Sequence, residues 1–205
     1  MTRTQTAGAV VRWTRDRTVP RLIDGSSRAG ALALAVNELL VTDGIPGLTL
    51  RRIAAVSRVS PGSMIHHLGG KDRLLSLSAG LTGRALREEI QRRSWEEGVL
   101  AFLPNGDEGV LNTRAWLAWI ELGRSDPVVE IPVSRARREE RALLAETLDF
   151  RLTRDDLDIL VAVIEGLRDA VCAPSRPLPP TRAGELLERH LRGLGISVRR
   201  DEAGP

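Results

Sequence analysis

Two helix-start signals eleven residues apart, Thr49 ahead of Leu50-Arg51-Arg52-Ile53 and Ser60 ahead of Pro61, constrain this chain more than any other feature. A threonine or serine hydroxyl accepts a hydrogen bond from a free N–H of the first turn, and proline at the first helical position gives up an N–H that has no partner there anyway. Gly69-Gly70 closes the second unit. Between these signals fits one short helix with Leu50, Ile53, Ala54 and Val56 on its buried side. A break at Ser57-Arg58-Val59 follows, and then a second short helix running through Met64 to Leu68.

A longer helix is expected just upstream. Ser26 and Ser27 are candidate caps, Leu32, Val36, Leu39 and Leu40 fall on one helical face, and Asp43-Gly44 is a stop. Three helices with a tight turn before the last make a helix-turn-helix, whose final helix can enter a major groove. Charge agrees with that placement. Up to Leu75 there are 11 basic and 5 acidic residues, and after it 19 basic and 22 acidic, so a basic module precedes a mildly acidic body.

The rest of the chain also reads as helix. Aromatics are few (four Trp, two Phe, no Tyr) and Leu, Ala and Arg abound, a composition that favours helices over sheets. The expected fold class is therefore all-α. A long helix is expected from Lys71 to about Arg93, with Gly80 and Gly83 as points where another helix can come close. After a loop at Asn105-Gly106-Asp107 comes a helix over about 108–124 carrying Trp116 and Trp119. Asp126-Pro127 starts another that reaches Asp149, with Pro132 bending or delaying its first turn. Thr153 caps a helix so apolar (Leu157, Leu160, Val161, Val163, Ile164, Leu167, Val171) that it needs cover on more than one side, and a proline-rich break precedes a last amphipathic helix over about 181–194. The expected organisation is a flexible basic arm (1–25), a helix-turn-helix DNA-binding domain (26–75), a helical dimerisation domain (76–197) and a disordered tail (198–205). Two late helices with spare apolar surface suggest a homodimer through a four-helix bundle.

The run Leu48-Thr49-Leu50-Arg51-Arg52-Ile53-Ala54-Ala55-Val56-Ser57-Arg58-Val59-Ser60-Pro61-Gly62-Ser63-Met64-Ile65-His66-His67-Leu68, followed by Lys71-Asp72-Arg73-Leu74-Leu75, resembles the DNA-binding domain of TetR-family transcriptional regulators. The segment from Trp116 to Pro127 is similar to a motif in the ligand-binding domains of some members. The resemblance implies an all-helical homodimer, usually a repressor released from a palindromic operator by a small molecule. It places Thr49, Arg51, Ser60, Pro61, Gly62, Ser63, Ile65, His66, His67 and Lys71 at the DNA, with Lys71, the chain's only lysine, on the backbone. Backbone N–H groups at a helix start favour phosphate on physical grounds as well. The chain departs from the family where tyrosines usually flank the His66 position and a phenylalanine follows. Ile65, His67 and Leu68 stand there, and Arg58 replaces a glycine common in the turn.

For the effector, Trp95, Phe102, Trp116, Trp119 and Cys172 are candidates to line a mostly apolar pocket, with Glu121 or Asp169 orienting a polar or cationic group; packed core is the alternative for Trp116 and Trp119 and a solvated face for the acids. Arg135 to Arg141 read as a wet helix face with i,i+4 pairs. No nucleophile turn, phosphate loop or metal-ligand set points to an enzyme or to a cofactor, and adjacent His66 and His67 diverge too far on a helix to chelate one metal. One cysteine, no apolar leader and no membrane-length apolar run suggest a cytoplasmic protein. Two other readings stay open: a helical small-molecule-binding protein with weakened DNA contacts, and an interaction protein that titrates a related regulator.

Overall fold

The computed structural model describes residues 27–196; the expected N-terminal arm and C-terminal tail lie outside the described residues, as does Ser26. Eight α-helices and no strands occur among the described residues: α1 (Arg28–Asp43), α2 (Leu50–Ser57), α3 (Pro61–Leu68), α4 (Lys71–Glu97), α5 (Gly106–Gly123), α6 (Pro127–Thr147), α7 (Arg154–Cys172) and α8 (Pro180–Gly193). Short 3₁₀ turns at Ile45–Gly47 and Gly98–Phe102 join α1 to α2 and α4 to α5. The all-α expectation holds.

The starts follow from side-chain capping. Ser27 Oγ accepts from the Gly30 N–H at 3.0 Å, Thr49 Oγ1 from Arg52 at 3.3 Å and Ser60 Oγ from Ser63 at 3.2 Å. Asp126 Oδ1 accepts from Val128 at 2.9 Å, and Thr153 Oγ1 from Asp156 at 3.2 Å. Each satisfies one of the first-turn N–H groups that a helix leaves unpaired. α2 ends on Arg58 in the left-handed region (φ 58°) and α3 on Gly69 (φ 74°), whose N–H returns to the Ile65 carbonyl. Glycine tolerates that conformation and arginine does not favour it, so the turn between α2 and α3 carries local strain.

Several boundaries move. α4 continues a turn past Arg93, to Glu97. Of the expected loop Asn105-Gly106-Asp107 only Asn105 lies outside α5, as its cap residue, because Asp107 and Glu108 suit the positive first turn. α6 starts at Pro127 without delay and holds Pro132 inside it, ending at Thr147. α7 is less enclosed than its apolarity suggests. Leu157, Leu160, Ile164, Arg168 and Val171 form its buried stripe, while Ile159 remains 53% exposed and Val163 half-buried.

α1 packs on α2, α4 and α5, so the three-helix unit is continuous with the rest. α4 lies along α6, and α5 bridges α1, α6 and α7. Gly83 makes the α4–α6 approach feasible: a Cβ there would sit 2.6 Å from Ala136 Cβ and 3.3 Å from the Trp116 ring. Trp116 and Trp119 are fully buried. The Trp119 indole N–H donates to Asn37 Oδ1 at 2.7 Å, and the Thr82 hydroxyl lies 3.1 Å from the same oxygen and 2.8 Å from the Ser78 carbonyl. This buried polar contact joins α1, α4 and α5 at one point, where a hydrogen bond is strong because water is excluded.

Candidate DNA face and ligand cavity

Most of the described residues expected at DNA are exposed. Thr49 and Arg51 stand at the start of α2; Ser60, Pro61, Gly62, Ile65 and His66 are exposed along α3; Lys71 is exposed at the first position of α4. Ser63 is half-buried, its N–H engaged by the Ser60 hydroxyl. A Cβ at Gly62 would meet nothing within 4 Å, so the N-terminal turn of α3 is open to an incoming group. His67 and Leu68 belong to α3, but their side chains lie outside those described. Met64 and Ile53 anchor the motif from beneath, both buried, and Arg52 ties α2 to the end of α1 by an ion pair to Asp43 at 2.7 Å. Lys71, Arg51 and Arg58 add positive charge around the opening of α3. Ile65, 52% exposed, is an apolar patch within it.

The second half of α4 forms a wall of a cavity of about 550 Å³. The remaining walls are the Gly98–Phe102 turn with Leu103 and Pro104, the start of α5, and Arg168 from α7. That volume suits a small organic molecule. Its inner surface combines the buried apolar residues Leu86, Ile90 and Phe102 with the buried polar residues Asn112, Thr113 and Arg168. Arg168 gives its Nε–H to the Phe102 carbonyl at 2.6 Å and pairs through Nη1 with Glu140 at 2.5 Å.

The expected effector residues are not gathered here. Phe102 alone among them lines the cavity. Trp116 and Trp119 are core, consistent with the packing alternative. Trp95 is 72% exposed at the end of α4; Glu121 is exposed and pairs with Arg124 at 3.5 Å; Asp169 is exposed on α7. Cys172 is buried, its thiol directed at the Val110 carbonyl at 3.7 Å. Burial pushes that thiol up to about 11, with a further rise from Asp169 and opposing pulls from Arg114 and Arg168, so it is inert as a nucleophile near neutral pH.

The 135–141 charge cluster is only partly the wet face expected. Arg135 pairs with Glu139 within α6 at 2.9 Å, but Arg137 reaches Glu165, Arg141 reaches Asp158 and Glu140 reaches Arg168, all on α7. Arg168 and Asn112 are absent from the sequence-based candidates. Arg168 had a signal: it falls at the core register of the Leu157, Leu160, Ile164, Val171 stripe, where an arginine is buried only if paired. Nothing in the sequence marks Asn112.

Solved structures share this architecture. The chain superposes on a transcriptional regulator from Rhodococcus sp. Rha1 with a TM-score of 0.71 at 18% identity, over 82% of this chain and 97% of that one. It superposes on a TetR-family transcriptional regulator from Streptomyces coelicolor with a TM-score of 0.51 at 23% identity, over 82% and 99%. The fold is that of the TetR-family regulators. A third superposition is on the multidrug binding protein EbrR complexed with ethidium, with a TM-score of 0.55 at 22% identity, over 80% and 98%. No family model and no curated protein matches the chain in sequence.

In this TetR-like arrangement the helix-turn-helix and the cavity sit at opposite ends of α4. Among the described residues no group of three His, Cys, Asp or Glu side chains could hold a metal, and no helix is long and apolar enough to cross a membrane.

Proposed function

We propose that this protein is a ligand-responsive, homodimeric DNA-binding transcription regulator, acting in the cytoplasm as a repressor that a small molecule releases from a palindromic operator. One observation carries the reading. α4 presents Lys71 beside the exposed recognition helix α3, and about 22 to 29 Å farther along the same rod, at 1.5 Å per residue, it presents Leu86 and Ile90 to the cavity. A ligand that tilts or shifts the cavity end of a rigid helix displaces Lys71 and, through Leu74 and the buried Asn37 contact, the three-helix unit. Two recognition helices must match the spacing of successive major grooves, so a small displacement in each protomer lowers operator affinity.

In this reading residues 26–75 are the DNA-binding domain and 76–197 the regulatory one. Thr49, His67, Lys71 and the α3 N-terminus meet phosphates, and Ile65 and His66 face the groove. The partner protomer covers α7 and α8: Ile159 and Val163 line up with Gly166 on one face of α7, and a Cβ at Gly166 or at Gly184 would meet nothing within 4 Å. The chemistry proposed is binding alone, without catalysis.

The test is selection of bound fragments from source genomic DNA by the purified protein, with fluorescence anisotropy at two salt concentrations on enriched sequences. A palindromic site bound by a dimer supports the reading. Lys71→Ala should then reduce the slope of log affinity against log salt by about 0.9 for each phosphate it no longer neutralises. The second reading, a binding protein with weakened DNA contacts, draws on the exposed Ile65, which offers no hydrogen bond where the family usually has a tyrosine. A folded dimer that retains no fragment at low salt would favour it.

A further inference from the structure

Successive residues of an α-helix turn by about 100°, so on α3 Pro61, Ile65, Gly62 and His66 follow one another around a single arc of about 140°. All four are exposed. Met64 falls outside that arc and is buried, which makes the arc the outward face of the helix. Ile65, 52% exposed, is the bulkiest apolar side chain on it, and Pro61 lies one turn before, so the two form an apolar strip. Nothing stands within 4 Å of a Cβ built at Gly62, their neighbour on the arc.

Direct reading of bases in a major groove relies mostly on side chains that hydrogen-bond twice to one base: arginine or lysine on guanine, asparagine or glutamine on adenine. The sequence of α3, Pro61-Gly62-Ser63-Met64-Ile65-His66-His67-Leu68, holds none of the four. Within the arc only His66 has a polar side chain. Charge identifies what covers the strip. From Thr49 to Arg73 the sequence sets Arg51, Arg52, Arg58, Lys71 and Arg73 against a single acid, Asp72. α3 packs on α2 and α4, which carry or adjoin these cations, and Arg51, Arg58, Lys71 and Arg73 are exposed. A basic surround complements the phosphates that flank a groove. The apolar group that a base pair shows inside that groove is the thymine C5-methyl.

We infer, on the reading of this protein as a DNA-binding regulator, that Ile65 is a specificity-determining residue that recognises thymine through its C5-methyl group. Pro61 extends the apolar contact along the groove. A side chain that cannot hydrogen-bond still selects a base here, because thymine alone offers it a methyl group to cover.

The experiment takes the palindromic site enriched by the full-length protein and replaces its thymines by deoxyuridine, one symmetrical pair at a time. Uracil keeps the base pair and its hydrogen-bonding edge and lacks only the methyl group. Burying one methyl group is worth roughly a factor of four, so a dimer touching one in each half-site should lose about fifteenfold in affinity at one thymine pair. Fluorescence anisotropy reads that loss. Ile65→Ala should bind the thymine and uracil duplexes equally, with an unaltered slope of log affinity against log salt, because no phosphate contact is removed. Its melting temperature should match the parent's, since only an exposed side chain is trimmed. An enriched half-site without thymine, indifference to every uracil, a uracil penalty that persists in Ile65→Ala, or an altered salt slope in that variant overturns the inference. So does a loss of self-association by Ile65→Ala in sedimentation without DNA, which would make the strip a protein interface. The underlying reading fails differently. A folded protein that enriches no fragment at low salt removes the regulator, whereas a palindrome bound without regard to uracil keeps the regulator and removes this role for Ile65.

Discussion

Gly80 and Gly83 lie one turn apart on α4, and exchanging each for alanine should move stability in opposite directions. Both are interior helical glycines, and alanine is favoured over glycine in a helix by about 1 kcal/mol. At Gly80 the new Cβ would lie 3.8 Å from Pro132, an ordinary separation, so Gly80→Ala should keep that gain. At Gly83 it would lie 2.6 Å from Ala136 Cβ, closer than normal carbon packing by about 1 Å, and 3.3 Å from the Trp116 ring. Ala136 has no side-chain torsion to rotate away, and Trp116 is 1% exposed with nowhere to go. Relief requires separating α4 from α6, an overpacking cost of roughly 1–3 kcal/mol that offsets or exceeds the propensity gain. The two variants should therefore differ by about 2 kcal/mol, or roughly 4–8 °C in melting temperature for a chain of this size. Thermal and urea denaturation followed by circular dichroism would measure it. A Gly83→Ala protein as stable as Gly80→Ala would mean that this glycine does not set the α4–α6 distance.

Arg58→Gly should raise stability by about 1 kcal/mol in urea unfolding, since it removes a side chain from a left-handed turn residue; an unchanged midpoint would show that the turn is unstrained. Trp119→Phe deletes the indole donor to Asn37 in a buried site and should cost roughly 2 kcal/mol, with most of that cost absent in an Asn37→Leu background; equal costs in both backgrounds would dismiss the hydrogen bond as its source. Cys172 should react with a disulfide reagent at pH 8 far more slowly in the folded protein than in urea. Its folded pKa is raised from 9.0 to about 11, so its contribution to stability is complete below pH 9 and is lost as pH rises through about 11. Rapid labelling of the folded chain at pH 8 would contradict both its burial and the shift.

The local grammar of the helices is written along the chain. Ser27, Thr49, Ser60, Asp126 and Thr153 all cap the helices whose starts they mark, because a cap is settled by an oxygen reaching an N–H two or three residues away. The break at Arg58 and the helix-turn-helix order are legible for the same reason. Even the closeness allowed by Gly83 is visible as a missing side chain, though not the identity of the helix that uses it.

The cavity and its lining, by contrast, exist only once the helices have packed. Arg168 pairs with Glu140 and with the Phe102 carbonyl, 28 and 66 residues away, and neither partner can be inferred until the angle between α6 and α7 and the path of the Gly98–Phe102 turn are set. Trp95 and Trp116 have the same side chain and opposite fates, 72% and 1% exposed, because one lies at the outer end of α4 and the other where α4, α5 and α6 converge. Helix formation depends on neighbours a turn away, so it can be read along the chain. A binding site forms where several helices happen to fail to touch, and that depends on the packing of every side chain between them.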